Sequence, residues 1–178
     1  MKKKSGKKVV LSLLALLLLT ITVGYAALST TLNINGTSKI NNATWDVHFA
    51  NLVVRPGSVS ATKAATIDSA TEIDYNVELI KPGDFYEFTV DVTNTGTIDA
   101  KLGEAPILSG VSAEQDVYTN YTVTYSDDTA INANDKLAAG ATKKLKVRVE
   151  FDRNITNSQL PTDAQTLNLT FAMNYVQD

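Results

Sequence analysis

Six stretches of the chain alternate apolar and polar side chains one residue at a time, and that pattern constrains the fold more than anything else in it. Trp45, Val47 and Phe49 alternate with Asp46 and His48. Ile73, Tyr75, Val77 and Leu79 alternate with Asp74, Asn76 and Glu78. Tyr86, Phe88, Val90 and Val92 alternate with Glu87, Thr89 and Asp91, and Tyr121, Val123 and Tyr125 with Thr122 and Thr124. Leu145, Val147, Val149 and Phe151 alternate with Lys144, Lys146, Arg148 and Glu150. Leu167, Leu169, Phe171, Met173 and Tyr175 complete the set. A period of two puts one apolar and one polar face on each stretch, which is what antiparallel sheets with a single buried side require. No stretch of the body carries a helical stripe longer than about two turns. Turn chemistry separates the stretches: Arg55-Pro56-Gly57, Lys81-Pro82-Gly83-Asp84, Asn94-Thr95-Gly96 and Ala139-Gly140 supply fixed or positive φ where the chain reverses. The spacing predicts an all-β, antiparallel β-sandwich with jelly-roll-like or Greek-key connections.

The N-terminus is of another kind. Lys2, Lys3, Lys4, Lys7 and Lys8 form a basic region, residues 9–23 (VVLSLLALLLLTITV) an apolar one, and Gly24-Tyr25-Ala26 a small-residue cleavage site. Together these are the parts of a secretory signal peptide, with the cut expected between Ala26 and Ala27. The alternative is an uncleaved anchor, since residues 9–28 are just long enough to span a bilayer. Membrane contact is expected only through that uncleaved segment, with the lysines on the cytoplasmic side. The chain is thus expected to divide into a signal peptide (1–26), an N-terminal strand (27–36) and a sandwich domain (37–178).

Immediately after the expected cut, Leu28, Thr30, Leu32 and Ile34 share one face of an extended segment. One reading is an ordinary first strand of the chain's own domain. The other is a strand donated to a neighbouring subunit, where main-chain hydrogen bonds join partners end to end. A donated strand needs a cut to free it, and this one begins at the cut.

Composition excludes several function classes. Five of the 16 basic residues lie in the first eight, so a body cut after Ala26 keeps 11 against 19 acidic groups, a net charge of −8. Such a body repels phosphate backbones, and no nucleic-acid partner is expected. There is no cysteine, hence no disulfide, thiolate zinc site or cysteine nucleophile. With His48 as the single histidine, a zinc site with two imidazoles is impossible. His48 is expected on the polar face of its strand. No phosphate-binding glycine loop and no nucleophile elbow is present. Asp127, Asp128 and Asp135 are acidic turn residues that could ligate calcium but read better as solvated. Asn-x-Ser/Thr triplets at Asn35, Asn42, Asn120, Asn154 and Asn168 reflect a threonine- and asparagine-rich β surface. No catalytic residue, metal ligand or cofactor is expected.

Three features resemble the TasA/camelysin family of exported Gram-positive proteins with a SipW-dependent-type signal peptide. The first is the signal ending Val23-Gly24-Tyr25-Ala26-Ala27-Leu28-Ser29, followed by Leu32-Asn33-Ile34-Asn35-Gly36. The second is Leu79-Ile80-Lys81-Pro82-Gly83-Asp84 leading into Phe88-Thr89-Val90-Asp91-Val92-Thr93-Asn94-Thr95-Gly96, and the third the closing β stretch through Leu137-Ala138-Ala139-Gly140. Ala27-Leu28-Ser29 stands where members often carry an aromatic residue followed by acidic ones. The resemblance implies a secreted jelly-roll subunit, trimmed by a dedicated signal peptidase, that polymerises into matrix fibres by passing its N-terminal strand to the next subunit. Camelysins are also described as surface metalloproteases, an activity that one histidine without a zinc motif does not support.

The expectation is therefore an exported, non-enzymatic surface or biofilm-matrix protein that self-associates through residues 27–36. Its rivals are a monomeric binding or adhesion module using loops such as residues 102–117, and, more weakly, a surface peptidase.

Overall fold

The computed structural model describes residues 5–27 and 31–178 and divides into two units, one ending at Asn41 and one spanning Asn42–Asp178. The first contains α1 (Ser5–Ala27). Its side chains from Val9 to Leu19 are apolar with few exceptions and exposed, from 53% at Val9 to 72% at Leu11. Among the described residues no helix is long and apolar enough to cross a membrane. The expected cut falls at the end of α1, whose last residue is Ala27. Residues 31–46 form no regular structure.

The second unit is all-β. Its strands are β1 (Val47–Val54), β2 (Ala61–Ser69), β3 (Glu72–Val77), β4 (Phe85–Asn94), β5 (Ala100–Leu102), β6 (Ile107–Ser109), β7 (Thr119–Tyr125), β8 (Lys136–Leu137), β9 (Thr142–Phe151), β10 (Thr170–Ala172) and β11 (Tyr175–Gln177). All pairings are antiparallel. One layer is a four-stranded sheet in the order β1-β4-β9-β7; facing it are β11-β5-β8 and β10-β6, with β2-β3 as a separate hairpin. Tyr86, Phe88, Val90 and Val92 of β4 and Leu145, Val147 and Val149 of β9 form one buried cluster with Ala100, Leu102 and Leu137 of the facing layer. The hairpin closes this core from the side: Tyr75 stacks on Tyr86 and meets Phe88 edge-on, and the Ala65 N–H donates to the Tyr86 hydroxyl at 2.9 Å.

The expected all-β architecture behind an N-terminal helix is what the structure holds. The pairing does not, however, close the facing layer into the second four-stranded sheet of a jelly roll. Two of the six expected strands depart from their alternation. β1 runs on to Val54 through a bulge at Asn51, whose φ is 49°, and the inward positions switch from Val47 and Phe49 to Leu52 and Val54; one extra residue reverses the parity of everything after it. The stretch from Leu167 to Tyr175 pairs only over β10 and again at Tyr175, where β11 begins. Opposite Met173 and Asn174 stand four residues, 103–106, and Pro106 has no N–H for a ladder bond.

The polar face of the four-stranded sheet is also closed over. Glu87 and Asp91 of β4 are buried, 4% and 7% exposed, because cations from both neighbouring strands cover them. Glu87 accepts from Arg55 at 3.0 Å and Arg148 at 2.8 Å, and Arg148 lies over the Phe85 ring at 4.0 Å. Lys144 pairs with Asp91 at 2.6 Å and Asn51 donates to it at 3.0 Å. Burial alone would raise the Asp91 carboxyl; the Lys144 and Asn51 bonds outweigh it and hold the group below its ordinary range. Glu150 behaves likewise, its burial offset by Arg148 and then Arg153.

The layers are joined at Asn94, the last residue of β4, which is fully buried. Its amide donates to the Ile98 carbonyl at 2.9 Å and to the Leu137 carbonyl of β8 at 3.1 Å, while its side-chain oxygen accepts from the Gly96 N–H at 3.0 Å. Replacing it strands two acceptors and a donor in a dry site. Asn94→Ala is expected to cost about 2–4 kcal/mol in urea unfolding, whereas a loss below about 1 kcal/mol would remove it as the junction of the layers.

Candidate functional site: a groove between two strand edges

The facing layer is built as two separate pieces, β11-β5-β8 and β10-β6, and an opening lies between its β10–β11 edge and β1. β1 ends one layer and the β10–β11 edge ends the other. Between them runs a groove of about 300 Å³, lined by Val47, His48 and Phe49 of β1, Ala70 and Thr71 of the hairpin turn, and Phe171, Ala172, Met173 and Tyr175, with the core residue Val92 at its base.

Both walls offer main-chain groups. The Asp46 carbonyl accepts from the Thr95 N–H at 2.9 Å, on the β4 side. By strand alternation the peptide groups of Val47 and Phe49 then point away from β4, as the bond from the Phe49 N–H to the Ala70 carbonyl at 2.8 Å bears out. On the other wall, the Asp178 N–H bonds to Asp99 and the Asn174 carbonyl to the Gly103 N–H, so the peptide groups of Tyr175 point away from β5. An apolar trough flanked by the outward-pointing peptide groups of Val47 and Tyr175 fits an extended peptide with alternating side chains.

The polar groups at the groove serve its walls. His48 Nδ1 lies 2.9 Å from Asp46 Oδ1, and the other Asp46 oxygen accepts from the Thr95 hydroxyl at 2.6 Å. The Thr95 bond, then His48, holds the Asp46 carboxyl below its usual range. The Tyr175 phenol is raised to about 12, by burial first and then by the charge of Asp135. The three acidic turn residues do not converge: Asp127 accepts from Thr129, Asp128 pairs with Lys146, and Asp135 accepts from the Tyr125 hydroxyl and the Asn132 N–H. Among the described residues no group of three His, Asp or Glu side chains could hold a metal ion.

Of the expected assembly strand, Leu28 and Thr30 lie outside the described residues, as does Ser29 between them. Leu32 and Ile34 are described, 88% and 97% exposed and outside any strand. The strand expected over residues 27–36 is thus not formed where the chain is described: Ala27 ends the helix, and residues 31–36 have no sheet to complete. The chain enters the sandwich at residues 44–46, laid against the Asn94-Thr95-Gly96 turn. Thr97 N–H donates to the Thr44 carbonyl at 2.9 Å and Thr44 N–H to the Thr97 hydroxyl at 2.8 Å. That approach requires glycine: a Cβ at Gly96 would stand 2.5 Å from the Thr44 carbonyl oxygen and 2.9 Å from the Asp46 nitrogen.

His48 and Phe171 through Tyr175 were legible as strand positions, but nothing in the sequence brought β1 and β10–β11 to one groove, a juxtaposition made by tertiary pairing. No family model matches this chain, and no curated protein matches it. Trp45, the single tryptophan, lies within the anchored segment. Gly96→Ala is expected to release residues 44–46 while leaving the core packed, so acrylamide should quench Trp45 fluorescence more strongly at unchanged far-ultraviolet circular dichroism. Unchanged quenching would show that the close approach is dispensable.

Proposed function

We propose that the chain is an exported, non-enzymatic structural subunit of a cell surface or matrix, and that it polymerises by strand donation. Once freed by signal peptidase between Ala26 and Ala27, residues 27–36 of one copy lie in the groove between β1 and β10–β11 of the next. The observation that carries this reading is the complementarity of two unsatisfied features. Leu32 and Ile34 are almost fully exposed on an arm outside any strand, and an apolar groove lies open between two strand edges of the sandwich.

Apolar burial and backbone pairing drive the exchange against the cost of ordering the arm. Burying Leu32 and Ile34 contributes about 1.5–3 kcal/mol each, and ladder bonds to both walls fix the register. The arm enters its own sandwich at residues 44–46, anchored by Thr95 and Thr97, so each subunit presents donor and acceptor as separate features. Such a contact joins unlike surfaces head to tail and propagates into an open filament where successive copies do not close into a ring. The signal-peptide pattern, the absence of cysteine and the resemblance to TasA/camelysin proteins agree with this role.

Negative-stain electron microscopy of residues 27–178 beside residues 37–178 tests the proposal. Filaments are expected from the longer protein only, and Ala172→Arg, which sets a charged side chain in the groove, should abolish them with the arm intact. Discrete particles from both lengths would reject strand donation and favour a monomeric binding module.

A further inference from the structure

The sandwich has a second uncovered edge, and it is unlike the others. β7 (Thr119–Tyr125) ends the four-stranded sheet opposite β1. Its sequence, Thr-Asn-Tyr-Thr-Val-Thr-Tyr, is seven residues of β-branched, aromatic and amide side chains with no charge, proline or glycine. Proteins ordinarily blunt such edges with a lysine, a proline, a bulge or a covering loop, and a run like this one is prone to pair with its own kind. Other edges carry such devices: β8 has Lys136, and β1 beyond Val47, the part bordering the groove, has the Phe49 bond to Ala70 and the bulge at Asn51. β7 carries none.

We infer that β7 pairs antiparallel with β7 of a second copy, about a two-fold axis at Thr122, extending the four-stranded sheet across two molecules. The main-chain parity allows it. The Ser126 N–H bonds to the Lys144 carbonyl of β9, whereas the Tyr125 N–H turns away to the Thr129 carbonyl. Stepping back along the strand, Thr124, Thr122 and Asn120 face β9 with their peptide groups, and Val123 and Tyr121 aim theirs outward. An axis at Thr122 sets Tyr121 opposite Val123 of the second copy, two outward-facing residues that exchange both ladder bonds, and the symmetry repeats the pair. On the core side this is an aromatic residue against a β-branched one; on the outer side, where Asn120 and Thr122 are exposed, Asn120 meets Thr124. Both are favourable cross-strand pairs.

Charge selects this edge for self-association. A processed body of net −8 resists most contacts between copies, but β7 brings no charge to the junction. Of the neighbouring cations, Lys143 lies on the Tyr125 ring at 4.6 Å and Lys146 pairs with Asp128 of the turn after β7, both toward the C-terminal end of the strand and away from the axis. The contact uses neither the arm nor the groove, so it joins molecules side by side whether or not strands are donated.

Residues 37–178 retain the whole sandwich core and lack the donor segment, so sedimentation of this length isolates the β7 contact. A concentration-dependent dimer is expected. At the axis the two Thr122 side chains form a close, non-hydrogen-bonded pair, so Thr122→Lys and Thr122→Glu each place like charges face to face and should raise the dissociation constant at least about tenfold. Mixing the two variants sets Lys against Glu and should restore a heterodimer, which a misfolded variant could not do. A monomer at every concentration, a dimer indifferent to both substitutions, or no recovery on mixing would each overturn the β7 pairing, and none of these bears on filament formation by the arm.

Discussion

Three hydrogen bonds from one buried amide hold this sandwich together. Asn94 ends the central strand β4 and ties it to the turn that carries the chain across to β5 and to β8 of the facing layer. The same turn, through Gly96, Thr95 and Thr97, receives the incoming chain at residues 44–46. Entry of the arm, crossover between layers and register of β8 thus depend on a single corner. The opening between β1 and β10–β11 lies beside this corner, since Val47, which lines it, stands opposite Asn94 in the β1–β4 ladder. The groove reaches down to Val92, which is itself part of the buried core.

Burial on both faces of β4 follows from the same economy of strands. With four strands in the main sheet, a central strand has cations available from both sides, and Arg55, Arg148 and Lys144 cover Glu87 and Asp91. Most of these pairs are partly exposed, so each adds little by itself. Their joint effect is a flat outer face whose acids are neutralised within the sheet, although the body as a whole is acidic. Such a face is compatible with neighbours lying alongside it.

The strand content was legible because one buried side forces period-two alternation, and Tyr86 to Val92 and Leu145 to Phe151 read as strands for that reason. The Asn94-Thr95-Gly96 turn was legible as a turn, but not as the junction of the layers, since that role belongs to Leu137, a residue 43 positions away from Asn94. The continuation of β1 past Asn51 was hidden by the bulge, which reverses parity and breaks the pattern. The pieces β5, β6 and β8 are three residues or fewer, too short for any period to register. The pairing of Ala61 to Ser69 with Glu72 to Val77 is interrupted by three register shifts, so only its second strand alternates cleanly. Of the candidate site, the arm was visible as Leu32 and Ile34 in alternation, and the groove was not, because its walls are more than a hundred residues apart in sequence.

The central claim is that the arm of one copy occupies the groove of another. The chain has no cysteine, so a single introduced thiol on each partner reports their proximity without background. Ile34→Cys protein mixed with Ala172→Cys protein, both beginning at Ala27 and oxidised gently, should give a mixed disulfide dimer in preference to either homodimer. Excess free peptide of residues 27–36 should suppress it. Mixed dimers no more abundant than homodimers, or unaffected by the peptide, would contradict donation of the arm to the groove.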